Sequence, residues 1–184
     1  MNRRILIGSF ALAFAFAAVA LVVGCNQEKN GASETAGPDP AGQKFVLAEE
    51  PAGAKGVVDA RKTAKDGDEI VIVGRIGGDK SPWIEGKAAF LIVDPSFKSC
   101  SDREGDNCPT PWDYCCERPD ELAKGIATIK FVDEQGKTIG ADARKLLGLK
   151  EMNTVVVKGK AKRDQDGNLI VLATGLFRRA DQKK

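Results

Sequence analysis

The segment GDEIVIVGRIGG (residues 67–78) carries a strong β-strand pattern from which the rest of the domain can be traced in both directions. Its β-branched side chains favour a strand over Glu69–Gly78, and Gly74 inside the run marks a bend or a bulge. On the N-terminal side, Asp66, Gly67 and Asp68 end a short helical pattern over Val57–Lys65. The sequence therefore predicts a short helix followed by a strand.

Four more strands and one more helix are predicted towards the C-terminus. In the segment ATIKFVD, Ile129 and Phe131 alternate with polar neighbours, as on a half-buried strand. The last two strands form a hairpin across an Asp-Gly turn. The predicted strands are Ala88–Asp94, Ala127–Asp133, Thr154–Ala161 and Asn168–Phe177, and the helix is Ala141–Leu149.

This order of three strands, a helix and two strands resembles that of the OB-fold. The resemblance covers residues 66–178 and rests on GDEIVIVGRIGG, AAFLIVD, ATIKFVD, the helix and the closing hairpin. It implies an all-β protein with one or two short helices, built as a five-stranded OB-fold-like Greek-key barrel. A small β-sandwich or an open meander capped by a helix is the alternative. The core candidates are Val71, Val73, Leu91, Val93, Ile129, Phe131, Val155, Val157, Leu169 and Val171.

The N-terminus reads MNRRILIGSFALAFAFAAVALVVGC and has the pattern of an export signal: Arg3 and Arg4, then an apolar run. Its last four residues, VVGC, resemble the lipobox of bacterial lipoproteins. The resemblance implies a signal peptide over residues 1–24 and a lipidated Cys25. It also implies a protein of the cell envelope that is lipid-anchored and faces the periplasm. Asn26 after the cysteine favours the outer membrane, and an uncleaved anchor helix is the alternative.

Composition divides the remaining chain into two parts. Residues 25–56 are dominated by Gly, Pro, Ala, Glu and Lys, and we expect a flexible lipidated tether, although the apolar patch Phe45–Leu47 could dock on the domain. Residues 57–184 are expected to form one OB-fold-like domain.

Charge and composition exclude several functions. The chain has 28 basic and 26 acidic residues, and removal of residues 1–24 takes away Arg3 and Arg4 and no acid, leaving 26 of each. Near-neutral charge and an expected location outside the cytoplasm argue against nucleic acid as a partner. The chain has no histidine, which is the commonest general base, and no catalytic motif is recognisable. We therefore expect no catalysis and no cofactor.

The segment 95–126 is a long cysteine-rich insertion between the second and third strands of the predicted barrel. It contains Cys100, Cys108, Cys115 and Cys116, an even number of cysteines in an oxidising compartment. Two structural disulfides are therefore expected, each using one of the two adjacent cysteines. A metal site is the alternative, with Cu⁺ favoured over Zn²⁺ because thiolates are soft ligands.

Two surfaces are predicted to bind partners. One consists of aromatic side chains on loops, Trp83, Trp112 and Tyr114. The other is the basic hairpin strand with Lys158, Lys160, Lys162 and Arg163.

The sequence thus predicts a non-catalytic binding or structural module of the cell envelope, anchored in the membrane by lipid. Its partner is expected to be an envelope protein or an anionic polymer. One alternative is a copper- or zinc-handling lipoprotein that uses the cysteine cluster. A second is an OB-fold that binds single-stranded nucleic acid or an anionic polymer.

Overall fold

A computed structural model describes residues 37–180. The predicted signal peptide and the predicted lipidation site Cys25 lie outside these residues. No helix in this range is long and apolar enough to cross a membrane. The strands are β1 (Lys55–Gly56), β2 (Glu69–Ile76), β3 (Ala89–Val93), β4 (Ile126–Phe131), β5 (Thr154–Arg163) and β6 (Leu169–Arg178). The α-helices are α1 (Val57–Thr63), α2 (Pro119–Leu122) and α3 (Ala143–Leu147).

Five of these strands close into a barrel. The hydrogen-bonded order is β2-β3-β4-β6-β5, and β5 pairs again with β2 from Glu69 to Arg75, so the sheet closes on itself. All neighbours are antiparallel except β4 and β6, which run parallel. This strand order, with α3 between β4 and β5, is that of the OB-fold. The predicted fold class, a five-stranded OB-fold barrel with a few short helices, is confirmed.

The barrel interior is filled by aliphatic and aromatic side chains from every barrel strand. Six of the predicted core residues lie there: Ile129, Phe131, Val155, Val157, Leu169 and Val171. On β4 they alternate with half-buried Thr128 and Lys130, which face outwards.

On β2 and β3 the prediction is partly confirmed, because Val73 and Val93 are buried whereas Val71 and Leu91 are half-buried, but none of the four faces the barrel interior. The interior positions there are Ile72, Ile76, Phe90 and Ile92. The predicted residues Val71, Val73, Leu91 and Val93 alternate with these and face outwards. β3 is apolar on both faces, and the outward face of β2 carries Val71 and Val73 between Glu69 and Arg75, so alternation of apolar residues alone does not distinguish interior from exterior.

The helix α3 packs against the barrel core through Leu146 and Leu147. It begins after Asp142, whose side chain accepts a hydrogen bond from the backbone N–H of Arg144 at 2.8 Å. It ends at Gly148, whose φ of 63° is the left-handed conformation common after helices.

The segment expected to be a tether is instead partly docked on the barrel. Phe45 is buried, and its ring centroid lies 5.0 Å from that of Phe131. The backbone N–H of Leu47 donates to the carbonyl of Leu176 at 2.7 Å. One large aromatic side chain in a polar segment is enough to dock it, so the compact domain begins before residue 57.

Candidate metal centre in the cysteine loop

The four cysteines of the domain lie in the connection between β3 and β4, residues 94–125, which we call the cysteine loop. Its two ends are adjacent because Val93 pairs with Ile126 in the sheet. The loop has its own small hydrophobic cluster of Val93, Tyr114 and Leu122. The outward face of β3 is therefore covered by the loop rather than by solvent.

Tyr114 does not belong to a binding surface, contrary to the prediction. It is 1% exposed and forms the centre of the cluster beneath the loop. Burial raises the pKa of its hydroxyl to about 12. Its φ of 58° is rare for a residue with a side chain, so the surrounding contacts hold the chain in this turn.

The glycines that end the predicted first strand allow the loop to approach the barrel closely. A Cβ atom at Gly77 would lie 2.4 Å from the carbonyl oxygen of Trp112. The N–H of Gly78 donates to that same oxygen at 2.7 Å. Any side chain at Gly77 would therefore displace the loop.

A polar network anchors the start of the loop to β2. The guanidinium of Arg75 forms an ion pair with Asp102 and donates to the hydroxyl of Ser99 at 3.2 Å. Asp102 and Ser99 form a capping box around the 3₁₀ turn Cys100–Asp102. These contacts hold Cys100 fully buried at the base of the loop.

Two aspartates shape the loop at the other cysteines. Asp106 accepts a hydrogen bond from the N–H of Cys108 at 2.6 Å, and Asp113 accepts one from the N–H of Cys115 at 2.9 Å. Each is an Asx turn, in which a carboxylate binds the backbone two residues later. The hydroxyl of Thr110 also donates to Asp113 at 2.9 Å.

The turns bring three thiols and one carboxylate together. Cys100 Sγ lies 3.5 Å from Cys115 Sγ, and Cys108 Sγ lies 4.0 Å from Cys115 Sγ. These three sulfurs and an oxygen of Asp113 all lie within 4.8 Å of one another. We call these four groups the inner set.

A second group of donors adjoins the first. Cys116 Sγ lies 3.7 Å from Asp106 Oδ2, and both lie within 4.8 Å of Cys100 Sγ. We call Cys100, Cys116 and Asp106 the outer set. Cys100 belongs to both sets, so the two are joined through one buried sulfur.

None of the four sulfurs is bonded to another in this structure. A disulfide requires a sulfur–sulfur distance of ~2.05 Å, whereas the sulfur of Cys115 lies 3.5 Å from that of Cys100 and 4.0 Å from that of Cys108. The two disulfides expected from the sequence are therefore not formed here. The loop instead brings three of its thiols, those of Cys100, Cys108 and Cys115, close to one another.

The thiols differ in exposure and in acidity. Burial raises the pKa of Cys100. Hydrogen bonds from the backbone and hydroxyl of Thr110 lower the pKa of Cys108. Hydrogen bonds with Cys100 and then with Asp113 raise the pKa of Cys115, which is exposed. A bound cation favours the thiolate form of every ligand it contacts.

The predicted tryptophans are half-buried and hydrogen-bonded rather than freely presented. The indole N–H of Trp83 donates to Glu151 at 2.6 Å, and its ring packs 5.6 Å from the ring of Phe90. The indole N–H of Trp112 donates to the carbonyl of Lys80 at 3.1 Å. Both indole groups hold loops against the barrel.

The predicted basic strand contains three exposed lysines and one arginine that binds the backbone. Lys158, Lys160 and Lys162 are exposed along β5, and Lys160 lies 3.9 Å from Glu69. Arg163 instead binds the backbone, donating to the carbonyls of Arg61, Ala64 and Gly167. Lys160 is thus within reach of an acidic neighbour, and Arg163 has a structural role.

From the sequence, Asp106 and Asp113 were considered only as oxygen ligands of a weak Ca²⁺ site or as part of a solvated acidic loop, and their place beside the thiols was not predicted. The signal that could have revealed them is the repeated Asp-x-Cys spacing at 106–108 and 113–115. That spacing places a carboxylate beside a cysteine through an Asx turn.

Comparisons with known proteins give matches among solved structures but not among families or curated proteins. No family model and no curated protein matches the chain. Among solved structures, the hypothetical protein ygiW from E. coli is 13% identical and has a TM-score of 0.36, over 70% of this chain and 94% of that one. The OBody AM1L10, solved bound to hen egg-white lysozyme, is 12% identical with a TM-score of 0.39, over 74% of this chain and 100% of that one. Values this low do not indicate what the chain binds.

Proposed function

We propose that this protein is a lipid-anchored, non-catalytic OB-fold protein of the cell envelope that binds one thiophilic metal ion, Zn²⁺ or Cu⁺. The ligands are the thiolates of Cys100, Cys108 and Cys115. The single observation that carries this proposal is the spacing of those three sulfurs.

The spacing matches that of ligands around one ion. A Zn–S bond of ~2.3 Å in a tetrahedral site places neighbouring sulfurs about 3.8 Å apart. The separations of Cys115 Sγ from Cys100 Sγ and from Cys108 Sγ, 3.5 Å and 4.0 Å, lie on either side of that value. Three thiolates around Cu⁺ give a similar spacing, and both ions accept soft sulfur ligands.

Asp113 completes a four-donor inner set. Its Oδ2 accepts a hydrogen bond from the hydroxyl of Thr110, and its Oδ1 accepts one from the N–H of Cys115 and one from the thiol of Cys100, which would lose its proton on binding an ion. A carboxylate has about four lone-pair positions, so Asp113 can orient the loop and still face the ion. The Asx turn thus orients two proposed ligands, the carboxylate of Asp113 and the thiolate of Cys115.

The membrane anchor is supported by the sequence. Arg3, Arg4, the apolar run and VVGC have the order of a lipoprotein signal, and Cys25 is the residue that would be lipidated. The periplasmic location and the preference for the outer membrane rest on the same residues. The absence of histidine from the chain supports a role in binding rather than catalysis.

The test is intact mass spectrometry of the full-length protein extracted from membranes in detergent. We expect one Zn²⁺ or Cu⁺ per chain under native conditions. Alkylation under denaturing conditions with a chelator, before any reductant, should modify Cys100, Cys108, Cys115 and Cys116. A metal-free protein whose thiols resist alkylation until reduction would show two disulfides and contradict the proposal.

A further inference from the structure

Charge is distributed unevenly over the domain, although the chain as a whole is nearly neutral. The strands β4, β5 and β6 contain six basic residues and no acidic residue. The cysteine loop, by contrast, contains eight acidic residues and four basic ones. The loop packs on β3, which pairs with β2 and β4, whereas β5 pairs with β6 and β2. The basic and the acidic surfaces therefore belong to different parts of the barrel wall.

The basic surface is formed by lysines on the outward faces of β4 and β5. Lys158, Lys160 and Lys162 are exposed at alternate positions of β5, so they leave the same face of the strand with Cα atoms about 6.8 Å apart. Lys130 on β4 is in register with Leu172 of β6, which in turn pairs with Lys160. Residues in register share one face of a sheet. We call these four lysines the lysine face.

One acidic side chain adjoins the lysine face. Glu69 of β2 is in register with Lys160, and its carboxylate lies 3.9 Å from the ammonium group. The two side chains are 59% and 60% exposed, so this ion pair is weak and opens readily. Within residues 37–180, Lys158 and Lys162 form no ion pair. The lysine face therefore carries positive charge that is available to a partner.

We propose that the lysine face docks on the anionic phospholipid surface of the membrane in which the protein is anchored. This inference rests on the lipid anchor of the proposed function and not on its metal site. Each lysine close to an anionic membrane strengthens attachment about fivefold. The acidic cysteine loop is repelled by the same surface, so docking leaves it turned towards solvent.

The anchor makes so few charges sufficient. Residues 26–36 join the proposed lipidation site Cys25 to Gly37, the first described residue, and can span at most ~40 Å. This reach is about one diameter of a domain of this size, so the domain stays near the lipid headgroups. Docking of a domain that is already tethered is an intramolecular event with a high effective concentration. The distribution of charge then decides which face meets the membrane.

The test uses the full-length protein, extracted from membranes in detergent and reconstituted into vesicles. One set of vesicles is phosphatidylcholine alone, and the other contains about one third phosphatidylglycerol, which is anionic. Flotation with the phosphatidylcholine vesicles shows whether the protein is anchored without help from anionic lipid. Lysines are then acetylated with a small amine-reactive reagent, and peptide mass spectrometry gives the rate at each lysine.

Docking should protect the lysine face only in the anionic vesicles. At low salt, acetylation of Lys158, Lys160 and Lys162 should be about fivefold slower there than in phosphatidylcholine. High salt should remove the difference, because it screens the attraction. Lys98, which is exposed in the cysteine loop, is the comparator and should react at nearly the same rate in both vesicles.

Two matched pairs of substitutions test the assignment to this face. Lys158→Gln combined with Lys162→Gln removes two charges from exposed positions, which should change stability little. In this variant, Lys160 should lose its protection in anionic vesicles. The control combines Lys98→Gln with Lys124→Gln, two exposed lysines of the cysteine loop, and should leave Lys160 protected.

Four results would overturn the inference. Equal acetylation of the lysine face in both vesicles would do so while leaving the anchor intact, and so would slowing of Lys98 as large as that of Lys160. Protection by dextran sulfate added to neutral vesicles, with none from phosphatidylglycerol, would assign the face to a soluble anionic polymer. A protein that does not float with phosphatidylcholine vesicles would overturn the anchor and the docking together.

Discussion

Cys100 Sγ lies 3.5 Å from Cys115 Sγ, although the two residues are 15 positions apart in the chain. One of the two is fully buried and the other is exposed. The loop therefore brings a fixed sulfur from the barrel side and an accessible sulfur from the solvent side to one point. That arrangement is suited to a metal ion that must be both held and reached.

The cysteine loop depends on Tyr114. We expect Tyr114→Ala to lower the free energy of unfolding by about 3 kcal/mol, because it empties the centre of the small cluster beneath the loop. Tyr114→Phe keeps the ring and should cost about 1 kcal/mol. Urea denaturation of the reduced, metal-free protein measures both. A Tyr114→Ala variant as stable as Tyr114→Phe would show that the loop does not depend on this ring.

The docked segment before β1 should contribute to stability through Phe45. We expect Phe45→Ala to cost about 3 kcal/mol, since its ring is buried against Phe131. Val46 is the matched control, because it is 37% exposed, and Val46→Ala should change stability by about 0.5 kcal/mol or less. If the two variants were equally stable, the segment would not be part of the folded domain in solution.

The cap of α3 predicts a pH dependence. The pKa of Asp142 is lowered, chiefly by its hydrogen bond with Arg144. Its carboxylate therefore stabilises the fold fully above the unfolded pKa of about 3.9, and this contribution is lost as the pH falls through the lower folded pKa.

Two substitutions separate the cap from the charge of Asp142. Asp142→Ala should cost about 1 kcal/mol at neutral pH. Asp142→Asn keeps the cap and should cost less. Thermal unfolding at pH 7 and pH 3 measures the stability of each variant relative to wild type. For Asp142→Asn, this difference in stability should be smaller at pH 3 than at pH 7. A difference that widens in acid would contradict the assigned role of the carboxylate.

Lipidation predicts the mass of the mature protein. The intact mass of wild-type protein extracted from membranes should show loss of residues 1–24 and acyl chains on Cys25. The Cys25→Ser variant should carry no acyl chains, whereas the matched control, Cys116→Ser, should be acylated as the wild type is. A wild-type protein that retains residues 1–24 and an unmodified Cys25 would indicate an anchor helix instead.

The order of the barrel strands could be predicted from the sequence because each strand is a short β-branched run bounded by turn residues. The interior face of β2 and β3 could not, because Val71 and Ile72 are equally apolar neighbours. What decides the face is tertiary: the loop that carries Tyr114 covers Val93 on the outside. The order of residues within one strand does not show which other part of the chain will pack on its outward face.

The candidate site was predictable in composition but not in geometry. The number of cysteines and the oxidising compartment expected from the N-terminal signal pattern favoured disulfides, and nothing in the spacing of Cys100, Cys108 and Cys115 required three sulfurs to converge. Convergence depends on two Asx turns and on the anchoring of Asp102 by Arg75. The ion pair of Arg75 and Asp102 joins residues far apart in the chain, and each Asx turn joins a side chain to the backbone. Residue type alone does not determine either kind of contact.

The most direct test of the metal centre is X-ray absorption spectroscopy of the full-length protein, reduced and loaded with one equivalent of Zn²⁺ or of Cu⁺. The proposed site predicts a first coordination shell dominated by sulfur, with about three sulfurs at ~2.3 Å. Substitution of Cys115 by serine should remove one of them. A shell of oxygen or nitrogen alone, or a spectrum unchanged by Cys115→Ser, would contradict the claim that the cysteine loop is a metal centre.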